Sequence, residues 1–261
     1  MRIWWQSFVD LEQNEAYRER LTAYLQEIAD PGTEVNVAGM RPPVRGFGRL
    51  SEFRCAALAI ENALEAAEHG YDGYVLGHFQ DSGLYEARSA VDISVVGLGE
   101  STLHWAAKLG RNLALVSIDP VFDRFHLEQA DRYGLGSRIR HVTGLGVAVE
   151  DFGPAFAGDA EARTRLVDDF RRLVQPLIER GVDVVVPAGA LPALLFAREH
   201  GFAIGGAPVV NCVAVGLKEV ETAVKLRVLT GLGPSRGPSF APAPPEAVED
   251  FRRFMAEGRP R

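Results

Sequence analysis

The residues best suited to chemistry gather where short apolar runs end. Tyr74-Val75-Leu76 stops at Gly77-His78-Phe79-Gln80-Asp81-Ser82-Gly83. An imidazole titrates near ~6.5, so His78 could move a proton at neutral pH, polarise a carbonyl or bind a metal. The plain alternative is a strand-end histidine that donates one hydrogen bond and does nothing else. Asp81 could orient that imidazole, and capping the following helix is an equally good use for it; Ser82 stands beside it. Gln6 and Ser7 end another apolar run and could donate to a carboxylate or imide. Ser117, Ile118 and Asp119 end a third, where Asp119 reads best as a helix cap. Gly189 and Ala190 end a fourth, a tight turn whose N–H groups could meet an anion. Glu100 and His104 stand one helical turn apart and could form a modest pair, read as structural rather than catalytic. His69, His126, His141 and His200 fall near element ends and read as surface or capping groups.

Elements that would position these groups follow from hydrophobic period. Short β-branched runs alternate with longer helical ones, the rhythm of parallel sheets with covering helices. Residues 3–5, 34–38, 74–76, 93–96, 113–117, 182–186 and 209–210 read as strands. Residues 14–28 read as a helix with Tyr17, Leu21, Tyr24, Leu25 and Ile28 on one face. Further helices are expected over 51–69, after Ser101 through Leu109, over 163–180 and 214–229, with one after Asp119-Pro120. The stretch 231–245, dense in Pro, Gly and Ser, reads as extended. Residues 71–78 and 181–189 echo one another: each has an Asp, an apolar strand and a small-residue loop. In open α/β sheets ligands collect beyond the carboxyl ends of the strands, where all four candidate loops fall.

Composition narrows the function. Of 261 residues, 47% are apolar and 24% charged, as in a folded globular chain. The net charge of -7 argues against nucleic-acid or anionic-membrane partners. The two cysteines, Cys55 and Cys212, are too few for a disulfide scaffold or a cysteine zinc site. The longest apolar run, 184–197, contains two prolines and falls short of the ~20 residues that span a bilayer. With no secretory signal pattern at the first residues, a cytoplasmic chain is expected. Gly97-x-Gly99 is a partial dinucleotide fingerprint, with Thr102 where the third glycine belongs and Asp119 as the acidic residue. Phosphate-loop and metal-ligand patterns are missing, so neither cofactor nor metal is expected.

The same loops resemble the aspartate/glutamate racemase superfamily, and within it the hydantoin and allantoin racemase branch. Residues 72–84 resemble that branch's first catalytic segment, Gly/Ala-Cys-Phe-x-Asp-Pro-Gly-Leu. Val95-Val96-Gly97-Leu98-Gly99-Glu100 with His104 resembles its Val-x-Gly-x-Gly-Glu-Ala-x-x-His segment. Arg132-Tyr133-Gly134-Leu135 and Pro208-Val209-Val210 with the helix after it complete a match over nearly the whole chain. The resemblance implies an α/β fold of two pseudo-symmetric lobes, each a parallel sheet flanked by helices. Residues 1–100 plus 208–261 would form one lobe and 101–207 the other, with the site in the cleft between them. It also implies a homo-oligomer.

The departures define the expected chemistry. The family's two cysteines, facing across the substrate beside a carbonyl, are replaced by His78 and Gly189. Its amino-terminal Asn-Pro-Asn-Thr becomes Gln6-Ser7-Phe8-Val9, and a later threonine pair becomes Ser117-Ile118. Cys55, in a helix, and Cys212, after the late strand, are expected away from the catalytic loops. The expectation is a cofactor-independent isomerase or lyase acting at an activated carbon of a small carboxylate or cyclic amide or imide. His78 and Asp81 would be catalytic. Gln6, Ser7, Phe79, Ser82, Ser117, Ile118, Gly189 and Ala190 would bind substrate. The alternatives are a hydrolase on the same scaffold and a non-catalytic binding protein.

Overall fold

A computed structural model describes residues 1–257. Four strands, β1 (Arg2–Gln6), β2 (Glu34–Ala38), β3 (Gly73–Leu76) and β4 (Ser94–Gly97), form a parallel sheet in the order β2-β1-β3-β4. Three more, β5 (Leu113–Ser117), β6 (Ile139–Gly144) and β7 (Val184–Pro187), form a second parallel sheet ordered β6-β5-β7. A short antiparallel ribbon joins β8 (Ala203–Ile204) to β9 (Ala207–Pro208). The helices are α1 (Glu15–Ile28), α2 (Arg49–Glu68), α3 (Leu84–Ala90), α4 (Leu98–Leu109) and α5 (Asp123–Arg132). They continue with α6 (Phe152–Phe156), α7 (Ala160–Glu179), α8 (Ala190–Leu194), α9 (Cys212–Thr230) and α10 (Pro245–Glu257).

Strands β3, β4, β5 and β7 are buried along their whole length, as continuous apolar runs covered on both faces must be. One apolar cluster runs through both sheets, from Ile3, Trp5 and Val75 to Leu113–Val116 and Val184–Val186. Helix α9 returns late in the chain to pack on α4, β3 and β4. The expected face of α1 is buried at Tyr17, Leu21, Tyr24 and Leu25.

Both sheets change winding direction once. In the first the chain leaves β1 for β2 on one side, then adds β3 on the other; in the second it does the same at β5, with β6 and then β7. Loops leaving β1 and β3, and those leaving β5 and β7, therefore diverge around a crevice at each reversal. The four loops singled out in the sequence are these four.

Several elements differ from the sequence-based expectation, among them α6, α8 and β8, which it did not include. Strand β6 was not expected: Arg140 and His141 interrupt its apolar pattern, as an edge strand half open to solvent allows. Helix α10 follows the Pro-rich stretch and lays Val248 and Phe251 on the cluster beneath α2. The strand expected at Val209-Val210 is reduced to an isolated parallel bridge between Val185 and Val209, just after β9.

Candidate active site

The loops converge on a cleft of about 150 Å³. Its lining includes residues 7–10 after β1, 77–80 after β3, Ile118 after β5 and 188–192 after β7. Pro43, Val44, Gly46 and Phe47 also line it, with Ser51, Glu52 and Cys55 from the first turns of α2. Phe47 packs on Phe122 with ring centroids 4.9 Å apart, so this strap reaches from the first sheet's connections to those of the second. Among the lining residues there is no lysine or arginine; the carboxylates are Asp10, Glu52 and Glu150.

His78 is held from two directions. Phe8 stacks on its ring at 4.1 Å with planes 8° apart, fixing the ring plane. Its Nε2 lies 2.8 Å from Glu52 Oε2, the same oxygen to which Ser82 Oγ donates at 2.6 Å. Both partners are largely enclosed, with side-chain exposures of 17% and 15%. Burial pushes the Glu52 carboxyl up, but the charge and hydrogen bonds of His78 and the Ser82 hydroxyl outweigh it and hold it below the ordinary value. Glu52 is therefore an ionised acceptor. Nε2 must then carry a hydrogen, and in the neutral ring this is the tautomer whose Nδ1 lone pair, bonded to no described protein group, is left for a ligand.

Asp81, which the sequence offered as a partner for His78, faces elsewhere and does not line the cleft. It is 1% exposed, with a left-handed φ of 55°. Gly99 N–H donates to its Oδ1 at 3.0 Å; Glu100 N–H (2.6 Å), Gln129 Nε2 (3.0 Å) and Tyr133 OH (2.7 Å) donate to its Oδ2. It thus closes the amino end of α4 and ties the His78 loop to α5. Burial pushes its carboxyl up to about 6, against the pull of those donors. Gly97 and Gly99 are glycines for this reason. A Cβ at Gly99 would stand 2.0 Å from the Phe79 carbonyl oxygen and 2.2 Å from Gln129 Nε2. The glycine pair seats a buried carboxylate, which accounts for it without a nucleotide.

The other expected site residues divide. Ser7, Phe79, Ile118, Gly189 and Ala190 line the cleft with His78. Ser82 does not; it acts on Glu52. Gln6 is sealed inside, taking hydrogen bonds from Trp4 Nε1 and Asn62 Nδ2 and donating to the Ser7 and Gly39 carbonyls. Ser117 Oγ donates to the Asp119 carbonyl at 2.9 Å and stays off the cleft. Asp119 caps the turn that follows it, accepting from Val121 N–H at 2.7 Å. Glu100 pairs with Arg88 at 2.5 Å rather than with His104.

Three further expectations are corrected. Cys55 opens on the cleft, one helical turn beyond Glu52, and Cys212 takes a hydrogen bond from Gly189 N–H, so both thiols flank the site. Burial pushes them up to about 11 and about 12, which keeps both protonated at neutral pH. His126 is no surface group: it is wholly buried, edge-on to Phe79 at 5.4 Å, and burial lowers it to about 4. Two lining residues that sequence reasoning missed, Glu52 and Tyr17, come from helices distant in sequence from the His78 loop. No group of three or more His, Cys, Asp or Glu among the described residues could hold a metal. Among the described residues no helix is long and apolar enough to cross a membrane.

Two parallel sheets with a histidine–carboxylate cleft at their reversal points define an α/β protein of racemase-like architecture. The sequence model of the Asp/Glu/hydantoin racemase family matches residues 9–220, and the chain belongs to that family. It is 28% identical over 167 residues to a hydantoin racemase of Pseudomonas sp. (strain NS671), a match covering 64% of each chain. Its fold is similar to that of the allantoin racemase from Klebsiella pneumoniae, with TM-score 0.75, 22% identity and coverage of 93% of this chain and 94% of that one. It is equally similar to the allantoin racemase from Pseudomonas fluorescens, with TM-score 0.76, 20% identity and coverage of 94% and 98%.

Proposed function

We propose that the chain is a cofactor-independent isomerase of the racemase type that labilises the carbon–hydrogen bond beside a carbonyl in an uncharged cyclic amide or imide. The observation that carries this reading is the Glu52–His78 pair opening on a cleft lined by no cationic side chain. His78 Nδ1 takes the proton, and the electron pair of the broken C–H bond moves onto the carbonyl oxygen. The imidazolium that forms is stabilised by Glu52 on its far side. Without a lysine or arginine to neutralise it, a dicarboxylate would meet Asp10, Glu52 and Glu150 uncompensated, which favours the ring over the free acid. The apolar wall of Phe8, Val9, Val44, Phe79 and Leu191 suits a hydrocarbon substituent on that ring. The names of the hydantoin and allantoin racemases that the chain resembles support the same substrate class.

The test is proton NMR in deuterated buffer over 5-substituted hydantoins, cyclic imides, amino acids and malonates, with wild type and His78→Ala. Deuterium should enter next to the carbonyl of the cyclic amides, and the mutant should lose that exchange. Ring opening without label at carbon would replace this reading with hydrolysis. Exchange confined to malonates would overturn the substrate class.

A further inference from the structure

The wall of the cleft carries a pair of hydroxyls with one more proton than the protein uses. Ser7 Oγ and Tyr17 OH lie 3.2 Å apart, both line the cleft, and both side chains are buried. Val9 N–H already donates to Ser7 Oγ at 3.2 Å. The two hydroxyls own two hydrogens, and their mutual bond consumes one. If Ser7 donates to Tyr17, the phenol hydrogen is left over; if Tyr17 donates to Ser7, the serine hydrogen is. Among the described residues no acceptor takes the remaining hydrogen in either arrangement. A buried donor without a partner is costly, so the site is completed by an acceptor from outside the protein.

We infer that the Tyr17–Ser7 pair donates this hydrogen bond to the substrate carbonyl oxygen and to the enolate oxygen it becomes. The inference rests on the acid/base reading of His78. When the C–H bond breaks, its proton goes to His78 Nδ1 and its electron pair becomes the charge on that oxygen. Return of the proton from His78 to the same face restores both partners; when water instead delivers a proton to the opposite face the carbon is inverted, and His78 gives its proton to the hydroxide left behind. A donor fixed in a water-poor wall strengthens as the oxygen gains charge, so its effect falls on the reaction barrier more than on substrate binding. Burial pushes the Tyr17 phenol far above its ordinary range, with the nearby Cys212 adding to the rise and the Ser7 bond opposing it. The phenol therefore keeps its hydrogen throughout the working pH range. Tyr17 stands near Cys212, whose thiol takes a hydrogen bond from Gly189 N–H, so the donor belongs to the side of the cleft where the family's second thiol is missing.

The test uses barbiturate, a planar ring anion at neutral pH, as a mimic of the enolate, and an uncharged hydantoin as its ground-state counterpart. Binding of both is measured by calorimetry for wild type, Tyr17→Phe, Ser7→Ala and the double variant. Deuterium exchange into the hydantoin is followed in parallel. Wild type sets the reference ratio of barbiturate to hydantoin affinity, since the cleft's carboxylates weigh equally on the anion in every variant. The double variant should lower that ratio by tenfold or more while holding the hydantoin within about twofold, which also shows that its cleft is intact. Its kcat for exchange should fall by about 10²-fold with KM little changed, the scale of losing an oxyanion donor. Unchanged barbiturate binding and exchange in the double variant would overturn the inference and leave His78 as the base. Absence of exchange in wild type would instead remove the acid/base reading, and this inference with it.

Discussion

Replacing Glu52 by Gln probes the least expected part of the site. The substitution keeps shape and one acceptor oxygen but removes the charge that faces His78 Nε2 at 2.8 Å. Two losses follow. Glu52 now accepts from Nε2 and from Ser82 through one carboxylate oxygen, and a Gln amide can present its NH₂ to Nε2 instead. That exchange favours the other tautomer and leaves Nδ1 carrying the hydrogen, unable to act as a base. The imidazolium formed in the reaction also loses its counter-charge. Unit charges about 4 Å apart at an effective dielectric of about 20 interact by about 4 kcal/mol, an upper figure for a pair this enclosed. At about 1.4 kcal/mol per tenfold, kcat/KM for deuterium exchange should fall by about 10²- to 10³-fold, with the loss in kcat. Ser82→Ala, which removes only a second donor to Glu52, should cost far less. Exchange is read by proton NMR at several substrate concentrations. An E52Q rate within about fivefold of wild type would refute the claim that Glu52 sets the state of His78.

Other expectations follow from the same geometry. His126 stays neutral in the fold down to about pH 4, because burial opposes its charge, whereas in the unfolded chain it protonates below ~6.5. The native state therefore loses stability from this group as pH falls from 6.5 to 4. Asp81 works the other way, taking up its proton near pH 6 in the fold and only near ~3.9 when unfolded. Urea melts should show His126→Phe gaining about 3 kcal/mol on wild type between pH 7 and pH 4; a pH-independent difference would contradict a buried neutral imidazole. Arg49 Nη2 donates to both carboxylate oxygens of Glu128, at 2.8 and 2.9 Å, and the guanidinium lies over Phe125, latching the strap that lines the cleft. Because the pair is exposed, Arg49→Ala should leave the melting temperature nearly unchanged while raising KM severalfold, with recovery in the reversed pair R49E/E128R. An unchanged KM would remove the latch. Gly99→Ala should cost about 1–3 kcal/mol by forcing apart Phe79, Gln129 and Asp81, and a wild-type urea midpoint would refute the close approach.

The sequence revealed the strand ends because chemistry-bearing residues follow short apolar runs, and such runs are easy to see. His78, Ser7 and Gly189 were found in this way. Glu52 was not, since nothing in its helix distinguishes a cleft-facing glutamate from a solvated one; only the packing of α2 over the β3 loop brings it to His78. Tyr17 was read correctly as part of the buried face of α1, but its place in the cleft wall depends on where α1 lies against β2. Asp81 shows the opposite limit. Its spacing from His78 suggested a shared task, yet the left-handed turn at Asp81 sends its carboxylate to the end of α4. His126 was misplaced because helix position alone does not tell which face is covered, and here Phe79 and Phe122 cover it.

The central claim, that His78 removes the proton, is tested most directly by chemical rescue. His78→Gly leaves a space the size of the missing ring between Phe8 and Glu52, and the assay is deuterium uptake into a 5-substituted hydantoin with and without added imidazole. The account predicts that exchange disappears in the variant and returns in proportion to imidazole concentration. Exchange that persists in His78→Gly without imidazole would contradict it, because some other group would then be the base.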